Sequence, residues 1–171
     1  MRLFHVSEEA NIESFIPRIP IRKDIDKSKG LVWALTEEQL PQFLTPRECP
    51  RVTYRITDKA TQADIEKFFL ASSRYCIAIE HDWYNAMAST TLYVYEFDIA
   101  NFYFDDYAGF YVSDQTEKPI STIKYDDLFG ELFKRNVEIR MITNLWNLAD
   151  KIKISTLKYS ICDMANALPR A

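Results

Sequence analysis

Glycine is scarce. Only Gly30, Gly109 and Gly130 occur among 171 residues, where average usage of about 7% gives roughly a dozen. A P-loop or a G-x-G-x-x-G turn needs clustered glycines so that backbone N–H groups can approach phosphate, so both are excluded. The nucleophile elbow, a strained turn flanked by glycine, is excluded on the same ground. Cysteine and histidine are equally thin. Cys49, Cys76 and Cys162 form no C-x-x-C pair, and His5 and His81 form no H-E-x-x-H, so no metal site is expected. No apolar run approaches the ~20 residues of a membrane helix. Arg2 leads straight to Ser7-Glu8-Glu9 without the apolar stretch of an export signal. Unpaired cysteines without a leader or a span fit a reducing compartment, so a cytoplasmic protein with no membrane contact is expected.

What is present is apolar and aromatic: 47% hydrophobic residues, with 11 Phe, 10 Tyr and 3 Trp. That supports a buried core in one globular domain over residues 1–171. The formal charge of −4 argues against nucleic acid, which needs a basic face to neutralise phosphates.

Arg2 to Val6 is apolar on both faces, the pattern of a buried central strand, which places His5 inside. Ser7 to Lys29 has no sustained period, holds Pro17 and Pro20, and gathers Arg18, Arg22, Lys23, Lys27 and Lys29 around Asp24 and Asp26. It reads as a long surface loop of the kind that covers binding sites. Leu31 to Leu35 reads as a second buried strand after Gly30. Thr36 with Glu37 and Glu38 reads as a helix start, kept short by Pro41 and Pro46. Val52, Tyr54 and Ile56 alternate with polar residues as a strand, and Ile65, Phe68 and Phe69 take helical spacing. Tyr75 to Glu80, Leu92 to Phe97, Phe110 to Ser113, Ile120 to Tyr125 and Val137 to Met141 read as further strands. Asp126 is the expected cap of a helix burying Leu128, Phe129, Leu132 and Phe133, with Glu131 paired to Arg135. Thr143 is the expected cap of a helix with Leu145, Leu148, Ala149 and Ile152 inward. Strands intermixed with helices and no βαβ rhythm predict an α+β fold with a mixed, mainly antiparallel sheet and flanking helices.

A few side chains offer chemistry. Cys76, in an apolar strand, is core. Cys49 stands between Arg47 and Arg51; it is an ordinary cysteine of a Pro-bounded loop with incidental charges, or else a thiol whose pKa the two cations lower. Arg18, Arg22, Arg47 and Arg51 follow the first two strands; converging, they would fork onto phosphate or carboxylate, and otherwise they form a solvated rim. His5 needs a hydrogen-bond partner if buried, and its alternatives are a satisfied core histidine or a ligand contact. Trp33 is core filler or a stacking face.

Met1 to Glu9, Ile12 to Arg18 and Gly30-Leu-Val-Trp-Ala34, with Pro46 to Arg51, Thr91 to Phe97 and Asp127 to Phe133, resemble a family of small uncharacterised bacterial proteins across nearly the whole chain. That likeness implies no known activity. The aromatic–His pair on the first strand, the long loop and the Gly–apolar–aromatic second strand are similar to the ADP-ribosyltransferase fold. The resemblance implies that His5 holds the adenosine ribose of NAD and that Trp33 stacks near nicotinamide. The late strand, Ala108 to Ser113, carries Gly109 where that superfamily places a supporting Glu; Glu96, Glu117 and Glu131 are the stand-ins considered.

Three readings follow. One is a pocket protein that binds a nucleotide-like or phosphorylated small molecule through His5, Trp33, Arg18, Arg47, Arg51 and Tyr111, with NAD a candidate ligand. Another is an active NAD-dependent transferase or glycohydrolase. The third is a non-enzymatic interaction domain using aromatics such as Trp83, Tyr84 and Tyr103.

Overall fold

A computed structural model describes residues 1–20 and 27–170. Arg22, Lys23, Asp24 and Asp26 of the basic loop lie outside the described residues. The fold is α+β, and the chain divides into two compact units, each discontinuous in sequence.

Unit 1 holds Met1–Phe43 and Thr91–Tyr125. It is built on β1 (Leu3–Ser7), β2 (Val32–Thr36), β5 (Leu92–Phe97), β6 (Tyr103–Asp105), β7 (Phe110–Ser113) and β8 (Ser121–Tyr125), in the order β6-β7-β2-β1-β5-β8, with every pair antiparallel. The two runs apolar on both faces, β1 and β2, are the central strands, where both sides of the backbone are covered. Register assigns the faces. Leu3 pairs with Phe97 and His5 with Tyr95, while Ala34 pairs with Tyr111. Side chains alternate along a strand, so these residues share one face. There Leu3, Val32, Ala34, Phe97 and Phe102 form a buried cluster, with Phe15 and Tyr111 packed against it. Trp33, Phe110 and Val112 turn to the opposite face, where the Trp33 and Phe43 rings both meet Phe110 edge-on at about 6 Å.

Unit 2 holds Leu44–Thr90 and the chain from Asp126 onward. Its sheet runs β10-β3-β4-β9, from β3 (Arg51–Arg55), β4 (Tyr75–Glu80), β9 (Val137–Ile142) and β10 (Lys158–Cys162). The β4–β9 pair is parallel and the others antiparallel. Helices α1 (Gln62–Phe68) and α4 (Trp146–Lys153) supply Phe68, Ala149 and Ile152 to a core with Val52, Tyr54, Cys76 and Ala78. Two shorter helices, α2 (Tyr84–Ser89) and α3 (Leu128–Lys134), complete it.

Several local expectations are corrected. Thr36 ends β2 instead of capping an α-helix: its N–H and hydroxyl both donate to Gln39 Oε1, and a 3₁₀ turn, Leu40–Phe43, follows. Pro41 lacks the N–H a longer helix needs. Asp127, not Asp126, caps α3 by accepting Gly130 N–H at 2.8 Å. On α3 only Leu128 and Leu132 are buried, and Phe133 is 64% exposed. Thr143 does not cap α4: the helix starts after Leu145, which has no capping side chain, and Asn144 Oδ1 accepts Trp146 N–H from just before it. β3 is buried on both faces where alternation predicts one, because Arg51 and Thr53 are enclosed with Val52 and Tyr54. The Glu131–Arg135 pair forms at 2.7 Å.

Candidate functional site

Four of the six candidate binding residues, His5, Arg18, Trp33 and Tyr111, fall in unit 1, and Arg47 and Arg51 fall in unit 2. The register brings His5 and Tyr111 to one face of the sheet, on either side of Ala34, and sends the Trp33 ring to the other. Phe104, opposite Tyr111 on β6, joins the His5 face with ring centroids 5.3 Å apart. Trp33 meets His5 through its backbone: His5 Nδ1 lies 3.0 Å from Trp33 O.

That contact decides the tautomer. A carbonyl oxygen only accepts, so Nδ1 carries the proton and donates, and Nε2 of the neutral ring is an acceptor. Among the described residues no partner engages Nε2, and no buried side-chain nitrogen or oxygen is unsatisfied. Nε2 is therefore open to solvent at the edge of a half-buried ring. His5 retains some accessible surface, yet apolar neighbours enclose the imidazole deeply enough that burial pushes its pKa below the ordinary histidine value, and the Arg18 guanidinium adds to the fall. Phe15 is the main enclosing group, its ring 4.8 Å from His5 and about 5 Å from Tyr95 and Phe97.

The segment that carries Phe15 is pinned in three places. Tyr95, fully buried, accepts Ile12 N–H at 3.1 Å and donates its hydroxyl to Glu9 O at 2.7 Å. Phe15 and Glu117 exchange two backbone hydrogen bonds, and Arg18 and Leu31 do the same. The expected long loop is thus a strap across the His5 face, and it holds Arg18 near the ring. Gly30 permits this close approach, since a Cβ there would stand 2.9 Å from the Pro17 carbonyl. Nothing in the sequence period signals these single bridges. The clue is the aromatic Phe15 inside an otherwise polar, aperiodic stretch.

The three carboxylates considered for the late-strand position separate cleanly. Glu96 is on the face opposite His5, forked by Arg2 and bonded to Ser121. Glu131 belongs to unit 2 and is held by Lys134 and Arg135. Glu117 is in unit 1 and buried; it accepts Ser113 Oγ–H at 2.5 Å and an Asn101 amide N–H at 3.5 Å. Sequence reasoning did not single it out because it sits outside any strand.

In unit 2, Arg47 is exposed, and Arg51 is buried with its guanidinium on Asp163 at 2.7 Å and Cys49 O at 2.9 Å. Of the two readings of Cys49, burial favours the unreactive loop cysteine. Cys49 is fully buried, and burial pushes its pKa up to about 12 against the smaller opposing pull of Arg51. Among the described residues no three His, Cys, Asp or Glu side chains gather as a metal site, and no helix is long and apolar enough to cross a membrane.

The lowered His5 pKa sets a pH dependence. The unfolded chain takes up this proton near pH 6.5 and the folded chain only below it, so the stabilisation is complete above 6.5 and is lost as pH falls through the window beneath it. Thermal melts from pH 7.5 to 5 should show a downward slope in the wild type that is shallower in His5→Gln. Parallel curves would show that His5 titrates normally in the fold.

Taken together, these features define an α+β protein with a strapped, half-buried histidine on one sheet face. The chain belongs to a family of unknown function, DUF6886, whose model matches residues 4–167. No curated protein and no solved structure matches it.

Proposed function

We propose that the chain binds a nucleotide-like or otherwise phosphorylated small molecule on the His5 face of unit 1, in an arrangement like that of the ADP-ribosyltransferases. The observation that carries this reading is the Nδ1 contact to Trp33 O, which leaves Nε2 as a fixed acceptor for a hydroxyl or amide N–H. Arg18, near enough to depress the His5 pKa, supplies a cation for a phosphate. NAD carries both groups, so these two residues suit it. The Trp33 ring, on the other face, is not part of this reading; Tyr111 and Phe104 provide the aromatic surface beside His5. Three unpaired cysteines and the family likeness support a bacterial cytoplasmic setting.

Calorimetric titration with NAD, ADP and adenosine tests it. Wild type should bind NAD and ADP, and His5→Ala should weaken both by roughly three- to tenfold, the worth of one neutral hydrogen bond. Arg18→Ala should weaken ADP and leave adenosine unchanged. A folded wild type that takes up none of the three overturns the proposal.

Glu117 favours a second reading, an NAD-consuming transferase or glycohydrolase. It is a buried carboxylate on the loop bonded to the strap beside His5, suited to support positive charge developing on a ribose. Turnover of NAD that disappears in Glu117→Gln while binding persists would establish it. Binding without turnover in the wild type would reject it.

A further inference from the structure

The β6–β7 hairpin of unit 1 combines two features that a solvated turn does not need. It exposes large aromatics: Tyr103 is 49% exposed, Phe104 47% and Tyr107 72%, with Ile99 beside them at 37%. It is also acidic, through Asp98, Asp105 and Asp106, and no Lys or Arg occurs between Arg74 and Lys118. Among the described residues no salt bridge engages these three carboxylates; Asp98 and Asp105 accept only the backbone N–H groups of Ala100 and Ala108. β6 is the end strand of its sheet, and because side chains alternate, Phe104 lies open on one face and Tyr103 on the other.

The tip is tied by hydrogen bonds on both sides of Gly109. Gly109, at φ 74°, donates its N–H to Asp105 O at 2.7 Å, and its carbonyl accepts from Gln39 Nε2 at 2.7 Å. A surface fixed before binding loses little entropy on contact, and exposed Tyr and Phe rings are preferred anchors.

We propose that this hairpin docks a basic, Lys- or Arg-bearing segment of a protein partner, with cations over the Tyr and Phe rings and paired to Asp98, Asp105 and Asp106. Charge complementarity selects that occupant. Cations are attracted to ring faces, and carboxylates at the rim steer them in. The same charge repels nucleic acid, anionic lipid and an identical hairpin on a second copy. Phe104 also borders the His5 face, but Tyr107 and the three aspartates have no part in the proposed ligand site, so this inference does not depend on that reading.

The test uses the whole chain and a fluorescein-labelled twelve-residue peptide of alternating Arg and Ser, followed by anisotropy. Binding is expected at low salt and should weaken at least tenfold between 50 and 300 mM, in keeping with screening. The triple variant Asp105→Asn, Asp106→Asn, Tyr107→Ala should lose at least tenfold in affinity. Asn at 105 keeps the oxygen that accepts Ala108 N–H, and an unchanged melt confirms folding. The control variant Glu13→Gln, Asp58→Asn removes two exposed charges elsewhere and should bind as wild type does. Equal loss in the control would reduce the effect to general charge attraction and overturn the proposal. So would equal binding of a Gln–Ser peptide, or a concentration-dependent dimer abolished by the triple variant, which would make a second copy the occupant.

Discussion

Replacing Glu80 by alanine should lower the melting temperature by on the order of 10 °C. Glu80 ends β4 and is 1% exposed. One carboxylate oxygen accepts Leu145 N–H at 3.2 Å, at the start of α4, and the other accepts Leu168 N–H at 2.9 Å, in the C-terminal tail. Each bond to a charged acceptor is worth roughly 1.5–3 kcal/mol, and its loss leaves a backbone donor unpaired. A total of about 4 kcal/mol corresponds to roughly 10 °C in a chain of this length, at about 2–4 °C per kcal/mol. Beyond Leu168 the tail is tied by Trp146 Nε1–H to Leu168 O, by Asn144 to Pro169 O, and by Arg170 forked onto Asp150. Hydrogen exchange should therefore speed most at Leu168 in the alanine variant. Glu80→Gln, which keeps one oxygen acceptor, should fall between the two. A melt unchanged in Glu80→Ala would mean that water replaces both contacts.

Phe97→Ala should be of similar size and should also reach the candidate site. Phe97 is 2% exposed, with Phe15 edge-on at 5.0 Å and Phe102 at 5.3 Å. Removing a buried phenyl group costs about 3–5 kcal/mol, because the walls only partly collapse into the space. The Phe15 ring rests on Phe97, Tyr95 and His5 together, so its support is weakened where it encloses the imidazole. NMR titration should then show the His5 pKa moving back toward its ordinary value, since burial is the largest cause of its fall. A destabilised variant with an unmoved His5 pKa would show that Phe15 keeps its place without Phe97.

The strands made of continuous apolar runs were legible in the chain. β4 and β7 fall where their apolar runs place them, since a short stretch apolar on both sides has few other ways to be buried. β6 and β10 were not read: Tyr103–Asp105 is three residues of an edge, and Lys158–Cys162 mixes polar and apolar side chains without a clean period. Helix starts slipped by a residue at Asp127 and by two at Leu145, which caps α4 without a side-chain bond, because neighbouring Asp, Asn and Thr residues all offer oxygens near a helix start and only backbone geometry places the first turn. His5 was legible as a polar group in an apolar strand, but its partner was not. The contact is to a backbone carbonyl 28 residues away, and a carbonyl leaves no mark on residue type.

Composition and short-range period alone carry the fold class, the two central strands of unit 1, the place of His5 between apolar neighbours, and the exclusion of glycine-rich phosphate loops. These depend on composition and on periods of a few residues, which are local properties of a chain. The folded chain adds that His5 and Tyr111 share a face while Trp33 turns away, that Arg51 is paired with Asp163, and that Cys49 is too deeply buried to ionise readily. It also separated Glu117 from Glu96 and Glu131. Each of these depends on strand register or on contacts between residues distant in sequence, and a shift of one residue in register would exchange the faces of a strand without changing a single side chain.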